Sequence, residues 1–301
     1  MTFRTRFAPS PTGPLHLGHA YSAILAHDMA RATGGQFLLR IEDIDRSRAR
    51  PEWEDLIYDD LEWLGLTWDG PVMRQSERLD SYCETLDALW ARGLLYPCDC
   101  NRRDIAEAAS APQEGAPMLG PDGIVYPGTC RSKPRQPGQM TPRPSGALRL
   151  DMGQAGLAKG VYTPRLGAEG IASFEESGNG EHIRHGIVAF TPDEVSHEIG
   201  DVVIARRDMG TSYHLAVVLD DAAQGITDVV RGADLFEATR IHVILQRLLG
   251  LPTPRYHHHR LIRDQNGKRL AKRDDARAIR KYREEGHSPE DIRRMIGLPQ
   301  A

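Results

Sequence analysis

The stretch Phe7-Ala8-Pro9-Ser10-Pro11-Thr12-Gly13-Pro14-Leu15-His16-Leu17-Gly18-His19 constrains this chain more than any other. It follows "TRFA" at 5–8, which reads as a buried strand, and opens "GHAYSAILAHDMARATG", whose apolar residues recur at helical spacing and whose end carries Gly34 and Gly35. "GQFLLRIED" at 35–43 reads as a second strand, so the segment is a β-α-β unit and predicts a parallel sheet. A loop that ends such a first strand and opens a helix is where open α/β sheets bind nucleotides, because backbone N–H groups and the positive helix end point into the crevice. His16 and His19 stand about one turn apart at the helix start, where both imidazoles can donate to phosphate oxygens and Gly18 permits a close approach to the backbone. The plainer alternative is that the two rings satisfy local carbonyls at the helix start.

Amphipathic helices are expected near 51–65 and 76–92. From about 95 to 195 the chain is irregular, gathers Pro, Gly and Ser with Cys98, Cys100 and Cys130, and holds short strand candidates at "ALRLDM" and "GIVAF". Regular order returns with "GDVVIARRD", "YHLAVVLDD" and "ITDVVRGADL", read as short apolar strands, and "FEATRIHVILQRLLG", read as a helix closed by Gly250. His257, His258 and His259 match no usual metal-ligand spacing and read as a strand leading to the basic segment "NGKRLAKRDDA".

No apolar run approaches the roughly 18 residues a membrane helix requires, and the N-terminus has no secretory pattern, so no membrane association and a cytoplasmic place are expected. With a net charge of −4, any nucleic-acid partner must be met by a local basic patch. Four cysteines, unevenly spaced, do not make a disulfide framework in a reducing compartment; metal ligation suits three of them better.

"HLGH" at 16–19 resembles the signature loop of class I aminoacyl-tRNA synthetases, and "RLAKR" at 269–273 resembles their second, basic signature loop. With "LLRIEDIDRSR" and "VVRGADL" the resemblance is to the glutamyl branch of that family, over roughly residues 3–275. It implies a Rossmann-like doubly wound parallel sheet with a zinc-bearing insertion. The expected division is a first catalytic half at 1–94, the insertion at 95–195, a second half at 196–275 and a helical tail at 276–301, without an anticodon-binding domain. Arg269 and Ala271 depart from the usual lysine and serine of the basic loop, while Lys272 is retained.

By the same resemblance, Glu42 takes the α-ammonium of L-glutamate, Arg6 and Arg231 its carboxylates and Tyr213 adds a hydroxyl, with Ala8 and Ser10 on the floor. Each has a duller reading: Arg231 pairing with Asp234, Glu42 accepting from a helix N-terminus, Tyr213 as a packed strand aromatic. ATP is held by His16, Gly18, His19, Arg269 and Lys272. The glutamate α-carboxylate attacks the α-phosphorus, pyrophosphate leaves, and His16, His19, Lys272 and Mg²⁺ stabilise the developing charge.

Cys98, Cys100 and Cys130, with Tyr126 four residues before the last, match the family's zinc pattern; Tyr126, Cys83 or water remains open as fourth ligand. The chain stops about 26 residues past the basic loop, as in a truncated branch that attaches glutamate to the queuosine base at the wobble position of tRNA(Asp), and a monomer is expected. Three alternatives stay open: a truncated synthetase charging the 3′ end of tRNA(Glu), a nucleotidyltransferase making a small metabolite, and a catalytically silent nucleotide- or RNA-binding paralogue.

Overall fold

β1 (Arg4–Phe7) and β2 (Gln36–Ile41) pair in parallel with Arg6 opposite Leu38, and α1 (Leu17–Ala32) makes the crossover between them. Ala20, Ala23, Ile24 and Ala30 are buried on one stripe of α1, the helical repeat legible in the sequence, and Gly34 leaves the helix at a φ of 63° that L-residues avoid. The structure, a computed structural model, describes residues 2–109, 118–132, 141–165, 168–181, 183–263 and 277–300. The basic loop with Lys268, Arg269, Ala271, Lys272 and Arg273 lies outside the described residues.

After β2 come α2 (Pro51–Trp63), β3 (Met73–Arg74) and α3 (Leu79–Ala91), close to the expected helices. The middle of the chain holds β4 (Leu95–Pro97), α4 (Arg102–Ala109), β5 (Leu119–Gly120), β6 (Gly123–Ile124), β7 (Leu148–Leu150) and α5 (Met152–Leu157). It continues with β8 (Thr163–Arg165), β9 (Ala168–Glu176), β10 (Gly186–Phe190) and α6 (Pro192–Glu198). The remainder is β11 (Val203–Ala205), α7 (Tyr213–Ala223), β12 (Asp228–Gly232), α8 (Thr239–Leu248), β13 (Arg255–His259), α9 (Ile279–Glu284) and α10 (Pro289–Met295).

The molecule is mixed α/β, and the expected doubly wound parallel sheet is corrected in two respects. The described strands form a parallel three-stranded sheet β1-β2-β3, a separate mixed sheet β10-β9-β13-β12 in which β8 and β10 run antiparallel to β9, and two small antiparallel sheets, β11-β7-β4 and β5-β6. β12 comes alongside β1 without a ladder: Thr227 N–H donates to the Arg4 carbonyl at 3.0 Å and Arg4 N–H to Thr227 Oγ1 at 2.8 Å. Second, β9 and β10, from the stretch read as insertion, enter that sheet, and Phe174 and Phe190 share one core with Leu215 and Ile244. A second core joins α1, β2 and α2 to α10 through Ile24, Leu39, Ile57 and Ile292, and a small third cluster gathers Tyr96, Cys98, Tyr126 and Cys130.

"YHLAVVLDD" is helix α7, not a strand. Ser212 caps it by accepting from Leu215 N–H at 3.4 Å, and the helix buries His214, Leu215, Val217, Val218, Asp220 and Asp221. A helix sunk in the core on most of its circumference has no polar face to mark its period, so its apolar run reads like a buried strand.

Candidate active site

At the N-terminus of α1, His16 is the cap residue: its Nδ1 accepts from Gly18 N–H at 3.0 Å, and His19 Nδ1 accepts from His16 N–H at 3.2 Å. The two rings lie 3.9 Å apart, centre to centre. With Nδ1 an acceptor in both, each neutral ring carries its proton on Nε2, the atom from which a phosphate oxygen would be contacted. Through Nδ1 both rings satisfy backbone amides of the cap. A Cβ on Gly18 would stand 2.9 Å from His16 Cε1, so the glycine is required by the cap itself as well as by any approaching ligand.

The unladdered seam between β1 and β12 opens into a cavity of about 490 Å³. Arg6, Ala8, Ser10, His16, Gly18, His19, Glu42, Tyr213 and Arg231 all line it. Glu42 follows β2 and is tied to the Pro9 carbonyl through its own N–H at 3.0 Å. Tyr213 reaches the cavity from the first turn of α7, which corrects its placement on a strand. Ser22 and His259, unforeseen in the sequence, also line the cavity and bond to each other at 2.6 Å. The segments flanking the basic loop converge here too: Leu261 and Ile262 line the cavity, and Ala278 forms a bridge with His16.

The β1–β2 wall is held by opposite charges. Arg6 Nε donates to Asp221 Oδ1 at 2.8 Å, and fully buried Arg40 reaches the same oxygen at 2.7 Å and Glu42 Oε1 at 3.1 Å. Burial would raise the Asp221 carboxyl, but Arg6 and Arg40 outweigh it and hold the group below the usual carboxylate range. Burial lifts Glu42 above that range against the pull of Arg40 and Arg6. Neighbouring Asp220 accepts from Gln75 Nε2 at 2.8 Å, Arg78 Nε at 2.7 Å and the Tyr82 hydroxyl at 2.9 Å. The acidic pair at the end of α7 thus anchors the helix to β1, β2 and α3, a role its sequence does not advertise.

The β12–β13 wall is held by neutral groups. Arg231 donates from Nε to His258 Nε2 at 3.0 Å, from Nη1 to His242 Nδ1 at 3.0 Å and from Nη2 to Thr239 Oγ1 at 2.7 Å and the Leu235 carbonyl at 3.3 Å. Strand pairing explains the first contact, since Arg231 lies directly opposite His258. Burial, with Arg231 adding to it, keeps His242 well below the usual imidazole range; burial likewise brings His258 to about 4 although Glu176 pulls it up.

In a separate place, the Sγ atoms of Cys98, Cys100 and Cys130 lie within 4.8 Å of one another. The Tyr126 hydroxyl is 3.5 Å from both Cys98 and Cys100, and it accepts from Cys130 N–H at 2.8 Å. A tetrahedral zinc with bonds of about 2.3 Å spaces its sulfur ligands about 3.8 Å apart, so the three thiols and the adjoining phenol fit such an ion. Cys83 is exposed on α3 and outside this group. Among the described residues no helix is long and apolar enough to cross a membrane.

The family of class I tRNA synthetases (E and Q), catalytic domain, matches residues 2–118 and 177–299. The chain is similar to the glutamyl-Q tRNA(Asp) synthetase of Rhodobacter capsulatus, 66% identical over 98% of this chain and 99% of that one. It is 41% identical to the protein of the same name from Deinococcus radiodurans, over 96% of this chain and 86% of that one. Among solved structures it resembles a glutamate tRNA ligase from Elizabethkingia meningosepticum in complex with its amino acid, with a TM-score of 0.72 and 27% identity. The match covers 99% of this chain and 61% of that longer one.

Proposed function

The chain belongs to the class I tRNA synthetases of the glutamyl and glutaminyl type, and from that premise we propose that it activates L-glutamate with ATP and transfers it to queuosine in tRNA(Asp). The observation that carries the first step is the cavity at the seam, where the paired histidines of α1 face Glu42, Tyr213 and two arginines. The acceptor follows the names of the Rhodobacter capsulatus and Deinococcus radiodurans relatives.

In this reading Glu42 receives the α-ammonium, Arg231 and Arg6 attract the carboxylates, and Tyr213 offers its hydroxyl, while Ala8 and Ser10 bound the pocket below. His16 and His19 donate from Nε2 to the triphosphate, which Gly18 lets close to the backbone, and Arg269 and Lys272 of the basic loop are assigned to the same phosphates. The anchoring of that loop's two flanks beside the cavity supports the assignment. Mg²⁺ travels with ATP and neutralises phosphate charge. Cys98, Cys100, Cys130 and Tyr126 would hold one zinc, which cross-links distant stretches of chain without touching the reaction. The enzyme works as a monomer in the cytoplasm.

The test is transfer of labelled glutamate. It should label an anticodon stem-loop bearing queuosine, leave the same stem-loop without queuosine unlabelled, and be accompanied by glutamate-dependent pyrophosphate exchange in the absence of RNA. Labelling of the 3′ end of unmodified tRNA(Glu) would refute the acceptor; exchange without amino acid dependence would refute the reaction. Lys272→Ala should slow exchange by roughly 100-fold or more with the glutamate KM little changed.

A further inference from the structure

A guanidinium has five N–H donors, and Arg231 commits four of them to His258, His242, Thr239 and the Leu235 carbonyl. One N–H, on Nη1, is left over for the cavity, and where it points is set by the groups holding the other four. Since arginine only donates, the direction of every further bond is forced. His242 Nδ1 must accept, so its proton sits on Nε2 and is donated to His214 Nδ1 at 3.0 Å. His214 in turn donates from Nε2 to Asp122 Oδ1 at 2.9 Å. On the other side His258 accepts at Nε2 and donates from Nδ1 to Glu176 Oε2 at 2.5 Å.

The two lines leave the same guanidinium, and each ends on a carboxylate, but those ends differ. Glu176 is fully buried and pinned by the N–H groups of Gly178 at 2.7 Å and His258 at 2.9 Å. Asp122 sits in the turn between β5 and β6 with its side chain 51% exposed, in the same stretch of chain as the cysteine cluster. His214 and His242 between them are buried. The line therefore runs from a surface hairpin to the cavity without passing through water.

We propose that Asp122, His214 and His242 are positioning residues for Arg231, a one-directional hydrogen-bond line by which the β5–β6 hairpin sets the orientation of the guanidinium that meets the amino acid. This rests on the reading that Arg231 binds a glutamate carboxylate. The line acts on glutamate affinity, not on the phosphoryl chemistry, because none of its three members borders the cavity.

The experiment is glutamate-dependent pyrophosphate exchange with the full chain. His242→Phe removes the acceptor at Arg231 and should raise the glutamate KM about 10-fold, the worth of one charge-assisted bond, with kcat and the ATP KM nearly unchanged. His214→Leu should raise it about 5-fold and Asp122→Ala about 3-fold, and His214→Gln and Asp122→Asn, which keep an acceptor and donor in line, should recover most of each loss. Arg231→Ala is the reference. If it raises the glutamate KM while His214→Leu and Asp122→Ala do not, the line is overturned and the pocket stands. If Arg231→Ala itself leaves the KM unchanged, pocket and line fall together. Imidazole ¹⁵N shifts of the unaltered protein at pH 7 give a check independent of variant folding: His242 and His214 protonated on Nε2, His258 on Nδ1. The opposite tautomer at His242, or a charged ring there, overturns the proposal.

Discussion

The two walls of the cavity each present one arginine, and they hold it by opposite means. Arg6 shares Asp221 with Arg40, and Glu42 completes a group of two guanidiniums and two carboxylates whose charges cancel. Arg231 is held by two imidazoles, a hydroxyl and a carbonyl, all neutral, so its positive charge remains for whatever enters. The lesson is that the same residue type meets the cavity in two ways: Arg6 from within a charge-balanced group, Arg231 with its charge offset by none of the groups that hold it. A substrate with one more carboxylate than ammonium groups is matched by that remaining charge.

Cutting the charge-cancelled wall should have the largest effect. Asp221→Asn leaves two buried guanidiniums short of a carboxylate and should cost about 3–5 kcal/mol of stability, read by urea denaturation; a change under 1 kcal/mol would mean the wall does not depend on the pair. Arg231→Ala should cost slightly less and act on binding: a glutamate KM raised roughly 30- to 1,000-fold, or 2–4 kcal/mol, with stability largely kept. The contrast collapses if these two variants exchange phenotypes.

A subtler probe is acid. His258 titrates near 4 in the fold and near 6.5 when unfolded, so its neutral state contributes stability that is complete above about pH 6.5 and is lost as pH falls toward 4. Asp221, depressed in the fold, loses its contribution only below the ordinary carboxylate range. The melting temperature should therefore fall in two stages, by about 5 °C between pH 6.5 and 4.5 and more steeply below 4. A flat profile down to pH 4.5 would remove the neutral-imidazole account of the β12–β13 wall. Smallest at the pocket should be Cys130→Ser, which should abolish a zinc stoichiometry of about one per chain while exchange at saturating glutamate changes less than about 3-fold. Zinc retained at full stoichiometry would show that Cys130 is not a ligand.

Much of the cavity was legible in the sequence because its signals are local. The helix start with His16, Gly18 and His19 is a contiguous cap, and β1, α1 and β2 follow from period and glycine placement within 40 residues. The residues that hold the arginines were not legible, since nothing near Arg231 announces His242, nor anything near Arg6 announces Asp221, 215 positions later. His242 stands among apolar neighbours on a buried helix, where a histidine looks like filler until the strand opposite is known. The helix α7 was missed for a related reason: burial on most of its faces erased its period, and with it the sign that Asp220 and Asp221 face inward.

Arg40 is enclosed completely, and its contact with Asp221 spans 181 positions. A ribosome adding roughly 5–20 residues per second needs about 10–40 s to cover that distance. Through that interval the first β-α-β unit, though locally complete, carries a guanidinium whose distant partner has not been made. Until α7 emerges, Glu42 is the only one of the two carboxylates hydrogen-bonded to Arg40 that has been made, so the charge balance of the N-terminal unit is completed by its C-terminal half.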